Sequence, residues 1–297
     1  MKFRAHETFF IRKGWLSKGI KNILISPDVF LSRENNPMDV LGIGANMVKS
    51  LRYWLQAVGL TEEVLDGGKK IQTLTPLGEV IYENDPYMEE LGTLWLLHYR
   101  LATNNAEATA WYYFYNEFRL TEFTRDDFIN HINSYLRINN VEVSERSLED
   151  DYNCIINTYV PRIKSNPQKI QPESNIDCPL GELGLIDIVN KKSKTYKKSC
   201  PQKDTLHPLI LLSVILEQAG GETSVKISDI QNNTNNAGKV FNLDIIALTT
   251  LLYKIELIGL IKVVRTAGLD VIEIKADFDF VGCVNEYYRT INKKAEE

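Results

Sequence analysis

Along Leu41–Leu60 (LGIGANMVKSLRYWLQAVGL) apolar residues recur with the period of a helix. With Met47 set at zero and about 100° per residue, Met47, Val48, Leu51, Trp54, Leu55 and Val58 fall within an arc of roughly 120°. Asn46, Lys49, Arg52, Tyr53 and Gln56 fall on the opposite side, with Ser50 at its edge. Such a stripe packs against a core. The outer face offers cations, amides and a phenol, groups that reach phosphates and base edges. Gly42 and Gly44 predict a sharp turn before the helix, and Gly59 predicts its end. The alternating run Ile71–Thr75 (IQTLT) predicts a strand. Thr75-Pro76 then starts a helix to Asn84, with Pro76 at its first position. Helix, glycine turn, strand and capped helix outline a winged helix-turn-helix. The plainer reading is an amphipathic helix whose polar face is only solvated.

The same pattern divides the rest of the chain. His6–Gly14 is expected to be partly extended and Trp15–Ile25 to be the first helix, so residues 1–84 form an N-terminal winged helix-turn-helix domain. Helical periods at Tyr87–Leu101, Thr109–Phe118, Glu122–Arg137 and Ser144–Tyr159 make 85–170 a helical domain. Thr124 is placed to cap the third of these, with Asp126 and Asp127 in its first turn. Pro161 and Pro167 mark a linker near 161–175. In 171–297, short strands at Gly184–Asn190 and Thr195–Ser199 flank a lysine-rich turn. Helices follow at Leu206–Gln218 and Phe241–Leu257, then a hairpin over Leu260–Ile274 turning at Ala267–Gly268, then a helix over Phe278–Lys293. This is a second, winged-helix-like outline with small β-hairpins, and the fold class is mainly α. The two outlines predict different roles. Phe241–Leu257 is apolar around more than half its circumference and leaves only Ala247, Thr250 and Lys254, so it packs inward or pairs with a partner, a homodimer being one form.

Charge sharpens the first outline. Residues 1–56 hold nine Lys and Arg against four acids, a net of +5 in a chain whose formal net charge is −5. Segregated positive charge is the electrostatic footprint of nucleic-acid binding. The tract Lys191, Lys192, Ser193, Lys194, Thr195, Tyr196, Lys197, Lys198 adds five lysines around an aromatic, suited to neutralising phosphates or simply to a solvated turn. Arg12 and Lys13 are expected on the DNA backbone beside the first helix.

Composition excludes other classes. A chain of 297 residues accommodates two or three domains. No apolar run approaches the roughly 20 residues that span a bilayer, and MKFRAHETFF has no signal-peptide core, so a cytoplasmic protein with no membrane partner is expected. Four cysteines and four histidines show no metal or disulfide spacing. Walker A, GxGxxG, HExxH, HNH and GIY-YIG signatures are absent, so no nucleotide or organic cofactor is expected. His6 and Glu7, close to Arg12 and Lys13, are the catalytic candidates: a base or metal ligand beside cations suits phosphodiester cleavage, while internal pairing is the simpler role. Two acidic groups, Asp85 with Glu89 and Glu90, and Glu149 with Asp150 and Asp151, offer oxygens to Mg²⁺, or merely favour a helix start. Trp95 and Trp111 read as core rather than as stacking platforms.

Together, HETFFIRKGW, LGIGANMVKSLRYW, DPYMEELGTLWLLHY and CPLGELGLI resemble the SspB-like family of bacterial DNA phosphorothioation systems, long carried as a domain of unknown function. Its members are encoded beside a cysteine desulfurase and a sulfurtransferase. The resemblance implies a DNA-binding component of an anti-phage system that nicks one strand so that sulfur is incorporated, with those two enzymes as partners and Mg²⁺ or Mn²⁺ serving any cleavage. It assigns no catalytic residues. A non-catalytic DNA-binding adaptor, or a repressor of the modification cluster, is the alternative.

Overall fold

Three helices open the chain. α1 (Trp15–Ile25) occupies the expected span, α2 (Pro37–Leu41) starts on an Asn36 cap with Pro37 at its first position, and α3 (Ala45–Ala57) carries the amphipathic stripe. Gly59 follows α3 with φ 69°, the left-handed conformation that ends a helix most easily with glycine. The computed structural model describes residues 1–32, 34–161, 178–266 and 269–296. Next come β1 (Thr61–Asp66) and β2 (Lys69–Leu74), an antiparallel hairpin with Asp66 opposite Lys69. Gly67 and Gly68 both have positive φ, as a two-residue hairpin turn requires. α4 (Pro76–Asn84) begins on Thr75, whose hydroxyl accepts the Gly78 N–H at 3.0 Å.

Of the segment His6–Gly14, expected to be partly extended, His6–Thr8 and Lys13–Gly14 are turns and Phe9–Arg12 run between them outside any helix, strand or turn; Arg4, Glu7 and Thr8 have positive φ. The cause lies far along the chain: both carboxylate oxygens of Asp151 accept the Arg4 N–H, at 2.9 and 3.2 Å.

The middle of the chain is helical: α5 (Leu91–Thr103), α6 (Thr109–Asn116), α7 (Arg125–Ile138) and α8 (Glu145–Tyr159). α5 starts four residues later than its periodicity suggests. The Asp85 carboxylate accepts the N–H groups of Glu89 and Glu90, and so holds a turn ahead of the helix. α7 likewise begins at Arg125, where Thr124 and Asp127 form a reciprocal capping box; Glu122–Phe123, just before it, forms the short strand β3. The expected linker at 161–175 lies, beyond its first residue, outside the described residues.

β4 (Ile186–Asn190) and β5 (Thr195–Lys198) join β3 in an antiparallel sheet of order β3-β5-β4. Then come α9 (Pro208–Ala219), β6 (Ser224–Lys226), α10 (Ile227–Asn232), α11 (Ala237–Val240), α12 (Ile245–Leu257), β7 (Ile261–Thr266), β8 (Leu269–Ile274) and α13 (Phe280–Glu296). β6, β8 and β7 form a third antiparallel sheet. The helix expected from Phe241 starts at Ile245, because Asp244 caps it by accepting the Ala247 N–H at 2.8 Å. The turn expected at Ala267–Gly268 is outside the described residues. The architecture is mainly α with small antiparallel sheets.

Buried side chains from Ile11 to Tyr288 form one continuous cluster. α5 runs through it, with Trp95 and His98 fully enclosed. His98 shows how polar groups survive there. Its Nε2 donates to the Val240 carbonyl at 2.8 Å, which fixes the tautomer, and Nδ1 accepts from the Tyr159 hydroxyl at 2.7 Å. Burial lowers its pKa to about 4. No helix of the described residues is long and apolar enough to cross a membrane.

Candidate nucleic-acid interface

α3 buries more of its circumference than the helical wheel allots. Val48, Leu51, Trp54 and Leu55 face the core as expected, but Ser50 and Tyr53 are buried too. The residues preceding α1 lie across that side. Phe9 accepts from the Trp54 indole at 2.9 Å and from the Ser50 hydroxyl at 3.5 Å, and the His6 ring stands 6.5 Å from that of Tyr53. Burial raises Tyr53 well above an ordinary phenol, so it stays neutral. Ser50 and Tyr53 are therefore scaffold, not contact residues.

Asn46 and Lys49 remain exposed on the first half of the helix. On its second half, Arg52 and Gln56 are half-buried and turn to one acceptor. Arg52 meets Glu63 of β1 at 2.5 Å, and the Gln56 amide donates to the same carboxylate at 3.3 Å. Gln72 of β2 donates to the Arg52 carbonyl. α3 and the hairpin are thus fastened together, and Arg52 is neutralised in place. Lys69 and Lys70 stand exposed near the hairpin tip. The periodicity reading missed β1 and Glu63. TEEVLD carries acids and buries only its first residue, so it has no strand alternation; the Asp66-Gly67-Gly68 turn ahead of the IQTLT run was the available signal.

Four of the nine cations in residues 1–56 are paired with acids. Lys2 pairs with Glu107 at 2.6 Å, Arg4 with Asp150 at 2.7 Å, Lys13 with Glu89 at 2.9 Å and Arg52 with Glu63. All four acids come from beyond residue 56. Arg12 lies over the Phe9 and Trp15 rings.

The basic tract is also divided. Lys191, Lys192, Lys194 and Lys197 are exposed, on a turn held by Asn190, whose side chain accepts the Lys192 and Ser193 N–H groups. Lys198 points inward. Its ammonium donates at 2.5 Å to the Phe114 carbonyl, left open in the last turn of α6, and at 2.6 Å to the Phe118 carbonyl just beyond it. Enclosure lowers its pKa to about 7, and the neighbouring Lys239 charge adds to the effect. Lys198 closes a helix and contributes nothing to a phosphate-binding face.

His6 is fully buried. Its Nε2 donates to Asp151 at 2.7 Å, among the Trp54 and Trp111 rings. Desolvation raises Asp151, partly offset by His6. Glu7 stays half-exposed and makes no hydrogen bond with His6 among the described residues. The pair expected to share a phosphodiester is separated, one member in the core. The acidic groups are similarly committed. Asp85 accepts the Thr93 hydroxyl at 2.7 Å besides its two N–H groups, Glu149 pairs with Arg125, and Asp150 with Arg4. Among the described residues no three His, Cys, Asp or Glu side chains converge to hold a metal ion. The Asp85 and Asp150 carboxylates are taken up by protein donors, so neither is free to hold the divalent ion that cleavage would use.

Comparison with known proteins places the whole chain. No curated protein matches it. Two crystal structures of SspB do, one of them magnesium ion-bound: each has a TM-score of 0.84 and covers 98% of this chain and 89% of its own, at 26% identity for the magnesium-bound form and 27% for the other. The model of the family described as protein of unknown function (DUF4007) matches residues 3–288. The chain therefore belongs to the DUF4007 family, and it is SspB-like over nearly its full length.

Proposed function

We propose that this protein is the DNA-binding component of a bacterial DNA phosphorothioation system. In this reading residues 1–84 are a winged helix-turn-helix, α3 enters the major groove through Asn46 and Lys49, and β1–β2 is the wing, with Lys69 and Lys70 on the phosphates. One observation carries it: Lys49 and Asn46 stand exposed and without ion pairs among the described residues, on a helix whose other half is fastened to a hairpin bearing two further lysines. An exposed polar face on a rigidly held helix suits direct readout. Likeness to SspB supports the phosphorothioation setting, with a cysteine desulfurase and a sulfurtransferase as partners.

Nicking of one strand is the activity that the resemblance implies, with Mg²⁺ or Mn²⁺ as its cofactor. The burial of His6 and the commitment of both acidic groups favour the second reading, a DNA-binding adaptor or a repressor of the modification cluster. One preparation separates the readings. Purified protein is titrated into labelled duplex and incubated with supercoiled plasmid and Mg²⁺ or Mn²⁺, with EDTA as control. Metal-dependent conversion to open circle supports the nickase. Duplex binding without conversion supports the adaptor. Absence of duplex binding at low salt overturns both.

A further inference from the structure

The first turn of α7, the second half of α8 and the β4–β5 hairpin line a half-open cavity of about 440 Å³. That is within the range of small-ligand pockets. Its wall is mixed in character. Tyr196 of β5 is half-buried, with its ring 6.2 Å from Phe123 behind it. Asn153 of α8 is exposed at the side. Lys194, on the turn that Asn190 holds, makes no ion pair among the described residues. Arg125 is already bound, to Glu149 at 3.2 Å and to Asp126 at 3.3 Å.

A second observation points to an occupant. Tyr152 lines the cavity and is only 3% exposed, yet its hydroxyl has no hydrogen-bond partner among the described residues. Buried phenols nearly always have one. The charged or phenolic groups acting on this hydroxyl are Tyr196, Arg125, Asp127 and Asp126. With two carboxylates on that side and Arg125 neutralised, the interior does not favour a bare anion. It does suit an uncharged, flat group whose edge carries donors and acceptors. The free cation, Lys194, belongs to the exposed turn.

We propose that this cavity takes a single unpaired nucleotide of a DNA strand, its base against Tyr196 with its edge toward Tyr152 and Asn153, and its phosphate toward Lys194. Ring, amide and cation are the groups by which single strands are held, because every base has a face to stack and every nucleotide a phosphate. The proposal rests on the DNA-binding reading above, but it uses residues outside α3, so the two fail separately.

The test is fluorescence anisotropy on the full chain with a labelled oligothymidylate and, in parallel, a labelled blunt duplex. Tyr196→Ala is expected to weaken oligothymidylate binding roughly tenfold and leave duplex binding unchanged, while Tyr196→Phe keeps both. Asn153→Ala and Lys194→Ala, at exposed positions that do not threaten folding, are expected to weaken the single strand several-fold each. Unchanged oligothymidylate affinity in Tyr196→Ala, Asn153→Ala and Lys194→Ala overturns the proposal. Loss of oligothymidylate binding in Lys49→Ala, with those three unaffected, assigns the single strand to α3 and also overturns it. Duplex binding without any single-strand binding sinks the cavity alone; binding of neither DNA sinks it together with the DNA-binding reading.

Discussion

Arg52 and Lys49 lie three residues apart on α3, yet they are expected to behave oppositely when DNA is added. Lys49 is free to neutralise a phosphate. Arg52 is spent on Glu63 at 2.5 Å, with both side chains about three-quarters buried. Each phosphate contact adds about 0.9 to the slope of log affinity against log salt. Lys49→Ala is therefore expected to make that slope shallower by about 0.9. Over a fourfold rise in salt, from about 50 to 200 mM, the wild type then loses about three to four times more affinity than the variant. Arg52→Ala is expected to leave the slope nearly unchanged, since Glu63 already holds that charge. Glu63→Gln keeps an acceptor for Arg52 and removes the anion. It is expected to steepen the slope by about 0.9, for a cost of no more than about 1 kcal/mol in folding stability. A labelled duplex followed by anisotropy across a salt series measures all three. If Lys49→Ala and Arg52→Ala flatten the slope equally, or Glu63→Gln leaves it where it was, the assignment of charges on this face is refuted.

Three further outcomes concern the core. Asp151→Ala strands the buried His6 ring N–H and the Arg4 N–H, an expected loss of about 2–5 kcal/mol and a fall in melting temperature of about 5–15 °C; a shift under about 2 °C in a thermal melt would contradict the anchoring role. His98 has its pKa lowered to about 4, so between pH 4 and its ordinary value of 6.5 the unfolded chain binds the extra proton. Stability from this group is full above pH 6.5 and declines by about 3 kcal/mol as pH falls to 4. Urea unfolding at stepped pH checks this, and His98→Gln should lack that increment. Lys198→Ala leaves the Phe114 and Phe118 carbonyls without their donor and is expected to cost about 2 kcal/mol, whereas Lys192→Ala on the exposed turn leaves the unfolding midpoint unmoved; equal effects on unfolding would place both lysines in solvent.

Much of the fold was legible because it is written locally. α1 matches its expected span, and the Thr75, Thr124 and Ser144 caps mark helix starts by their own side chains. The errors at Leu91 and Ile245 are local too: Asp244 is a cap residue inside a run whose apolar period continues past it, and Asp85, just ahead of the other run, holds Glu89 and Glu90 in a turn. The candidate site was less legible, since its character depends on what lies across from each residue. A helical wheel describes one helix alone; it cannot show that Phe9 covers Ser50 and Trp54, or that Glu63 arrives beside Arg52. The same holds for charge. Counting residues 1–56 gave a basic segment, but Glu63, Glu89, Glu107 and Asp150 return to it from later in the chain. Lys198 differs from Lys197 only by the strand's alternation, which sends one to solvent and the next to the end of α6.

The clasp between the start of the chain and α8 sets an order of events during synthesis. His6 and Asp151 are 145 residues apart. At roughly 5–20 residues per second, a ribosome delivers the second about 7–30 s after the first. Throughout that interval the turn around Arg4 and His6 lacks its Asp151 partner, and the segment is held to α3 by the Phe9 carbonyl alone. The cover on the Tyr53 side of α3 is completed only when the middle of the protein has emerged to hold His6 and Arg4 in place.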